Sequence, residues 1–276
     1  MAQEKLLSLV ADHLGKGVVL TLAEESDILN SIEFKAVNSN AYTYNVADVL
    51  PEVAFRALGE QPAEGQLEPV LERENLAICY GDISVDRAIT AFQNVNDIMA
   101  ENTMASAKAM AKTLTAAFFY GDNSKNVKEF DGLEARLAKG KGTAITHSLT
   151  GAKGDIDKLE ELIDAVDGRP SVIYVNKSTR RILNKIAREN NCYSQVERFG
   201  KYVDSFDGIP VVVCEEVKNG HVFAVRYGTE YVQGLTINGI QTEDLGTIGV
   251  FRKAKIEGYV GLQTAHPKCF AMMKVE

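Results

Sequence analysis

VDRAITAFQNVNDIMAENTMASAKAMAKTLTAAFFY, residues 85–120, contains neither proline nor glycine and is rich in Ala, Met and Leu, all good helix formers. Ile89, Phe92, Val95, Met99, Met110, Leu114 and Phe118 recur at spacings that fit an apolar helical stripe. The polar residues Asn94, Asn96, Asp97, Glu101 and Asn102 fall largely between them. Ser84 or Asp86 can cap the start, and Gly121 ends the run. The spacing predicts one rod of roughly 50 Å, a scaffold on which the rest of the chain must hang.

Upstream, residues 3–14 read as a short amphipathic helix with Leu6, Leu7, Val10 and Leu14 on one face and Gly15 as its stop. GVVLTL (17–22) reads as a strand. Residues 41–58 and 70–83 alternate apolar and polar around the turn-rich GEQPAEGQLEP, which predicts a long hairpin with a loose tip. Its apolar positions are too few for a core of its own, so it needs a partner surface. The hairpin is also acidic. Glu60, Glu64, Glu68 and Glu72 recur at every fourth residue, with Arg56 and Arg73 as its only bases. These six residues are the candidate inter-subunit contacts, an acidic tongue suited to a basic strip on a neighbour; a merely solvated loop is the alternative.

Downstream, GDNSKNVKEFDGLEARLAKGKG (121–142) is a polar loop interrupted by FDGL (130–133). From Asp155 a compact α/β unit begins. It comprises a helix with Leu159, Leu162, Ile163 and Val166 inward, strand SVIYV (171–175), a helix capped by Asn176 or Ser178, and strand VVVC (211–214). An Asn219-Gly220 turn leads into HVFAVRY (221–227), and EYVQGLTI (230–237) follows. Two strands in 247–275 have no local partner and are predicted to return to the long helix, so that residues 151–245 form an inserted domain.

Composition bounds the function. The 276 residues carry a net charge of −8, which argues against a general nucleic-acid-binding surface. Cys79, Cys192, Cys214 and Cys269 form no CxxC pair, and the three that lie in apolar strand-like runs read as small buried hydrophobes of a reduced protein. No apolar run is long enough to span a membrane, and the N-terminus lacks a signal-peptide core. His13, His147, His221 and His266 are isolated, without metal-ligand spacing. Lys139-Gly-Lys-Gly-Thr143 lacks the first glycine of a phosphate loop, and GAKGD (151–155) reads as a loop with an Asp cap. The acids Glu160, Glu161, Asp164 and Asp167 read as a solvated helix face. Lys177, Arg180, Arg181 and Lys185 make a basic helical patch without interleaved aromatics. No catalytic, cofactor or metal residue is assigned, and the chain is read as a non-enzyme.

The order of elements is itself informative: N-terminal arm, extended hairpin, long helix, inserted α/β domain, returning strands. AFFYGD (117–122) followed by FDGL (130–133), SVIYVNKSTRRIL (171–183), FDGIPVVVCEEV (206–217) and IEGYVGLQTAHPKCFAMMK (256–274) occur in that order. In this the chain resembles the major capsid proteins of tailed double-stranded DNA phages, with the Hong Kong 97-type fold, over essentially its whole length. The resemblance implies an α+β fold: arm 1–40, extended loop 41–84, peripheral domain 85–150 and 246–276 with spine helix 85–120, and axial domain 151–245. It further implies hexamers and pentamers closing an icosahedral shell in the virion. That shell would be assembled in the host cytoplasm with a portal, and would enclose double-stranded DNA without sequence-specific binding. No lysine lies between Lys35 and Lys108, so the lysine–asparagine crosslink that some members carry in this loop is not expected. No charged helical extension precedes the arm, so a separate scaffolding protein is expected. The competing readings are an encapsulin-type nanocompartment holding enzyme cargo, and an α/β enzyme with its site in 155–245.

Overall fold

The computed structural model describes residues 13–46, 55–59, 70–92, 98–149, 153–192 and 194–275. The acidic residues Glu60, Glu64 and Glu68 of the tongue, and most of the helix expected over 3–14, lie outside these residues.

The long helix α4, Ile98–Tyr120, buries Met99, Ala107, Met110, Ala111, Leu114, Phe118 and Phe119, so the second half of the predicted stripe is its packed face, whereas Ile89 lies before α4 and is exposed and Val95 falls outside the described residues. It is shorter than the expected rod. Its 23 residues span about 35 Å, because Val85 and Asp86 finish strand β4 (Ala77–Asp86). A separate short helix α3, Arg87–Phe92, follows, with Asp86 Oδ1 accepting from the Ala88 amide at 2.8 Å.

Under α4 lies a four-stranded sheet in the order β1–β11–β12–β4, built from β1 (Phe34–Ala36), β11 (Val232–Ile248) and β12 (Phe251–Thr264) with β4. Alternation along β4 sends Ile83 and Val85 inward and leaves Ile78 and Tyr80 exposed. The predicted hairpin is therefore divided. Its root is β2 (Ala41–Val46) paired with β3 (Val70–Asn75), from Ala41↔Asn75 to Val46↔Val70. Residues 77–83, expected to continue it, instead join the sheet.

GVVLTL is helical, not extended. It lies in α1 (His13–Glu25), which runs through Gly15 and is followed by α2 (Asp27–Ser31). Val18 and Leu22, four residues apart, share one buried face, and that packing overrides the strand preference of a Val-Val pair.

The second sheet has seven strands in the order β5–β13–β10–β6–β9–β8–β7. These are β5 (Thr143–His147), β6 (Val172–Val175), β7 (Ser194–Arg198), β8 (Lys201–Phe206), β9 (Ile209–Val213), β10 (His221–Val225) and β13 (Phe270–Val275). Helices α6 (Ile156–Asp164) and α7 (Lys177–Glu189) pack on one face through Leu159, Leu162, Leu183 and Ile186. Phe118 and Phe119 of α4 share the core of the opposite face with Tyr174, Phe223 and Phe270. Asn176 caps α7 by accepting from the Ser178 amide. Asp155 precedes α6 without capping it and binds Lys158 at 2.7 Å instead.

The two closing strands, both packed toward α4, join different sheets: β12 lies in the four-stranded sheet, whereas β13 enters the seven-stranded sheet between β5 and β10. Phe270 and Met272 on one side and Ala271 and Met273 on the other are all buried, as a strand covered on both faces requires. Conversely 232–237, read as part of the inserted unit, belongs to β11 in the smaller sheet.

Candidate functional site

The hairpin is joined to the body at its root, and FDGL builds that joint. Phe130 and Leu133 are buried in the main core, which fixes the loop against the end of α4. Gly132 donates to the Gly121 carbonyl at 2.8 Å. A Cβ at Gly132 would lie 2.5 Å from the Ala117 carbonyl oxygen, so only glycine allows the loop to sit this close to the helix end. Gly132 is then the N-cap of α5 (Leu133–Ala138), which carries Arg136 into the interior.

Arg136 is 1% exposed. Its Nε donates to the Asp131 carbonyl at 2.9 Å and Nη2 to the Leu262 carbonyl at 2.8 Å. Nη1 donates to Thr264 Oγ1 at 2.9 Å and to Glu74 Oε1 at 2.6 Å. One rigid fork thus ties loop, sheet and hairpin together. Burial opposes the guanidinium charge, but attraction to Glu74 and the hydrogen bond between them outweigh it and raise the pKa. Beside it, Lys141 binds Glu72 and lies 3.3 Å from Tyr44 Oη. Tyr44 donates toward Glu72 Oε2 at 3.0 Å and Glu74 Oε1 at 3.2 Å. Burial first, then the charge of Glu74, pushes the Tyr44 phenol well above its ordinary value. Asp131, though partly desolvated, is held below the usual carboxyl range by Lys139 and the Asn123 amide.

Of the six residues expected at an inter-subunit surface, the structure places Glu72 within this clasp, on the inward face with Glu74 and Tyr44. Arg73 projects on the outer face and has no ion-pair partner among the described residues. Arg56 lies in the short exposed segment 55–59. Arg136, Lys141, Tyr44 and Thr264 were not anticipated. The available signal was that Tyr42, Tyr44, Glu72 and Glu74 alternate onto one hairpin face. Two carboxylates on a face that packs require a buried base.

Beyond the clasp the surface is apolar in several places. Phe55 and Leu58 are fully exposed, and Val70 and Leu71 largely so. Beside β4, Ile78, Tyr80, Val127 and Lys128 line a groove of about 680 Å³. Among the described residues no group of three metal-ligating side chains gathers, and no helix is long and apolar enough to cross a membrane.

The family model of major capsid protein GP7 matches residues 12–159, more than half the chain. No curated protein matches the sequence significantly. Among solved structures, the capsid of a native GTA particle superposes with a TM-score of 0.69 at 13% identity, over 91% of this chain and 90% of the other. The Microbacterium phage Oxtober96 structure gives 0.68 at 15% identity, over 91% of both chains. The holo-SrpI encapsulin of Synechococcus elongatus PCC 7942 gives 0.67 at 16% identity, over 90% and 87%. At these identities the structural likeness establishes the fold, Hong Kong 97-type, which phage capsids and encapsulins share.

Proposed function

This chain belongs to the major capsid protein GP7 family, and from that premise we propose that its copies close, as hexamers and pentamers, into an icosahedral shell around packaged phage DNA. The observation that carries the reading is the hairpin. Its root is clasped to its own body while Phe55, Leu58, Val70 and Leu71 remain exposed. Apolar surface left exposed on the hairpin is surface that neighbouring copies bury. The role is structural rather than catalytic.

In this reading the hairpin is the extended loop that crosses to the next subunit, through Glu60, Glu64, Glu68, Arg56 and Arg73. Glu72 serves in cis. Helix α4 with the four-stranded sheet is the peripheral domain, and the seven-stranded sheet with its helices is the axial domain. The boundaries expected from sequence shift accordingly: 34–36 and 232–264 go with the peripheral part, and 143–147 and 270–275 with the axial part. The net charge of −8 suits a container that must not grip its DNA. A separate scaffolding protein and a portal complete the assembly in the host cytoplasm.

Electron microscopy of the expressed protein tests this. Shells or capsomers are the expected result, and a stable monomer on sizing refutes it. Small uniform shells loaded with protein cargo would favour a nanocompartment. Glu64→Lys with Glu68→Lys is expected to disturb assembly while leaving the fold intact; normal assembly of that variant at low and high salt refutes the role of the acidic tongue.

A further inference from the structure

The face of the seven-stranded sheet that carries α6 and α7 is electrically divided. α6 exposes Asp157, Glu160, Glu161 and Asp164, against one base, Lys158, already held by Asp155. α7 exposes Lys177, Arg180, Arg181, Lys185 and Arg188, with Glu189 as its one acid. Some of this charge is neutralised at home: Glu161 meets His147 at 2.7 Å, Lys177 meets Glu215, and Arg180 meets Asp204 at 3.7 Å. The rest is not. Among the described residues Asp157, Glu160, Asp164 and Arg181 have no ion-pair partner, and Lys185 reaches Glu189 only at 4.0 Å.

The positions of the helices make this more than a solvated surface. α6 follows the edge strand β5 and packs over β13, whereas α7 packs over β9, toward the other edge formed by β8 and β7. One flank of the unit is therefore acidic and the opposite flank basic. Edge-to-edge contact about a two-fold axis would set like against like. A head-to-tail contact sets acid against base and repeats in the same sense at every copy, which closes a ring when the rotation from copy to copy divides the circle.

We propose that the acidic α6 flank of one copy docks on the basic α7 flank of the next, and that this contact gives the capsomer ring its direction of assembly. The inference rests on the shell reading above and assigns the ring contact within it. The pairs are at a solvent-exposed rim, so their effect lies in orientation and rate more than in bulk affinity.

The test uses the full chain. The acidic-face variant is Glu160→Lys with Asp164→Lys; the basic-face variant is Arg181→Glu with Lys185→Glu; a third chain carries all four changes. Circular dichroism and melting establish that each is folded, and sedimentation reads rings and shells. Each two-site variant is expected to raise the protein concentration needed for assembly about tenfold or more, since like charges then face each other. The four-site variant, with both signs exchanged, is expected to recover assembly near the parent value. An equimolar mixture of the two two-site variants is expected to form only even-membered rings, hexamers without pentamers, because copies must alternate. Parent-like assembly of the two-site variants overturns the proposal while leaving the shell reading intact, and so does failure of the four-site variant to recover. A parent chain that forms no rings overturns both.

Discussion

Arg136→Met removes the fork that holds the hairpin root. The change deletes donors to the Asp131 and Leu262 carbonyls, to Thr264 Oγ1 and to Glu74 Oε1, at 2.9, 2.8, 2.9 and 2.6 Å. Methionine fills similar volume, so the cost is not chiefly a cavity. It is the carboxylate of Glu74 left half-desolvated, with only Lys141 at 3.8 Å and Tyr44 nearby. Removing one partner of a buried pair costs about 3–5 kcal/mol. At about 2–4 °C per kcal/mol for chains of this size, Tm should fall by roughly 6–20 °C. Urea unfolding of the unassembled chain, followed by circular dichroism, measures it directly. Adding Glu74→Gln should return about 1–2 kcal/mol, because the stranded charge is gone. Arg136→Lys should fall between parent and Met, keeping charge without the fork. If Arg136→Met unfolds within about 1 kcal/mol of the parent, a cost no larger than an ordinary exposed pair, or if Glu74→Gln restores nothing, the clasp is not what secures the hairpin.

Three further outcomes follow from the same geometry. Lys141→Glu should expose the hairpin to proteolysis several-fold faster by setting two acids together, and Glu72→Lys in the same chain should reverse the effect; cleavage rates by gel decide. Gly132→Ala should cost about 1–3 kcal/mol by overpacking, since its Cβ would press on the Ala117 carbonyl at 2.5 Å; an unchanged melting curve would show the loop to be adjustable. His221 lies with Nδ1 3.2 Å from the Tyr120 hydroxyl, and burial, aided by Lys274 and Lys218 and opposed by Glu134, lowers its pKa below 6.5. The folded state therefore binds fewer protons than the unfolded one in that window. Its stability contribution is complete above pH 6.5 and is lost as pH falls through the folded value. The parent should lose more stability than His221→Gln between those limits, as thermal melts across pH would register.

Much of this was legible locally. A stripe repeating at helical spacing marks Met99, Met110, Leu114 and Phe118 as one packed face wherever the helix sits. Alternation marks the root of the hairpin, and Asn176 announces the helix it caps. These are properties of a residue and its near neighbours, which a one-dimensional pattern records. FDGL could be noticed in the sequence, but not that its glycine is required by the Ala117 carbonyl across the end of α4.

What the sequence by itself determined was which segments have a face to bury: the long helix, the alternating hairpin, and strands such as 172–175 and 270–275 that are apolar on both sides. Which surface each face meets was decided only in three dimensions. β13 could have joined the sheet of β12, yet it fills the gap between β10 and β5, where both of its faces are covered. GVVLTL became helical because α4 offered its Val18 and Leu22 face a partner. Glu72 and Glu74 found their bases 69 and 62 residues further on. Local propensity is worth tenths of a kcal/mol per residue, whereas burying an apolar side chain or satisfying a desolvated charge is worth several times more, so long-range packing settles what local pattern leaves open.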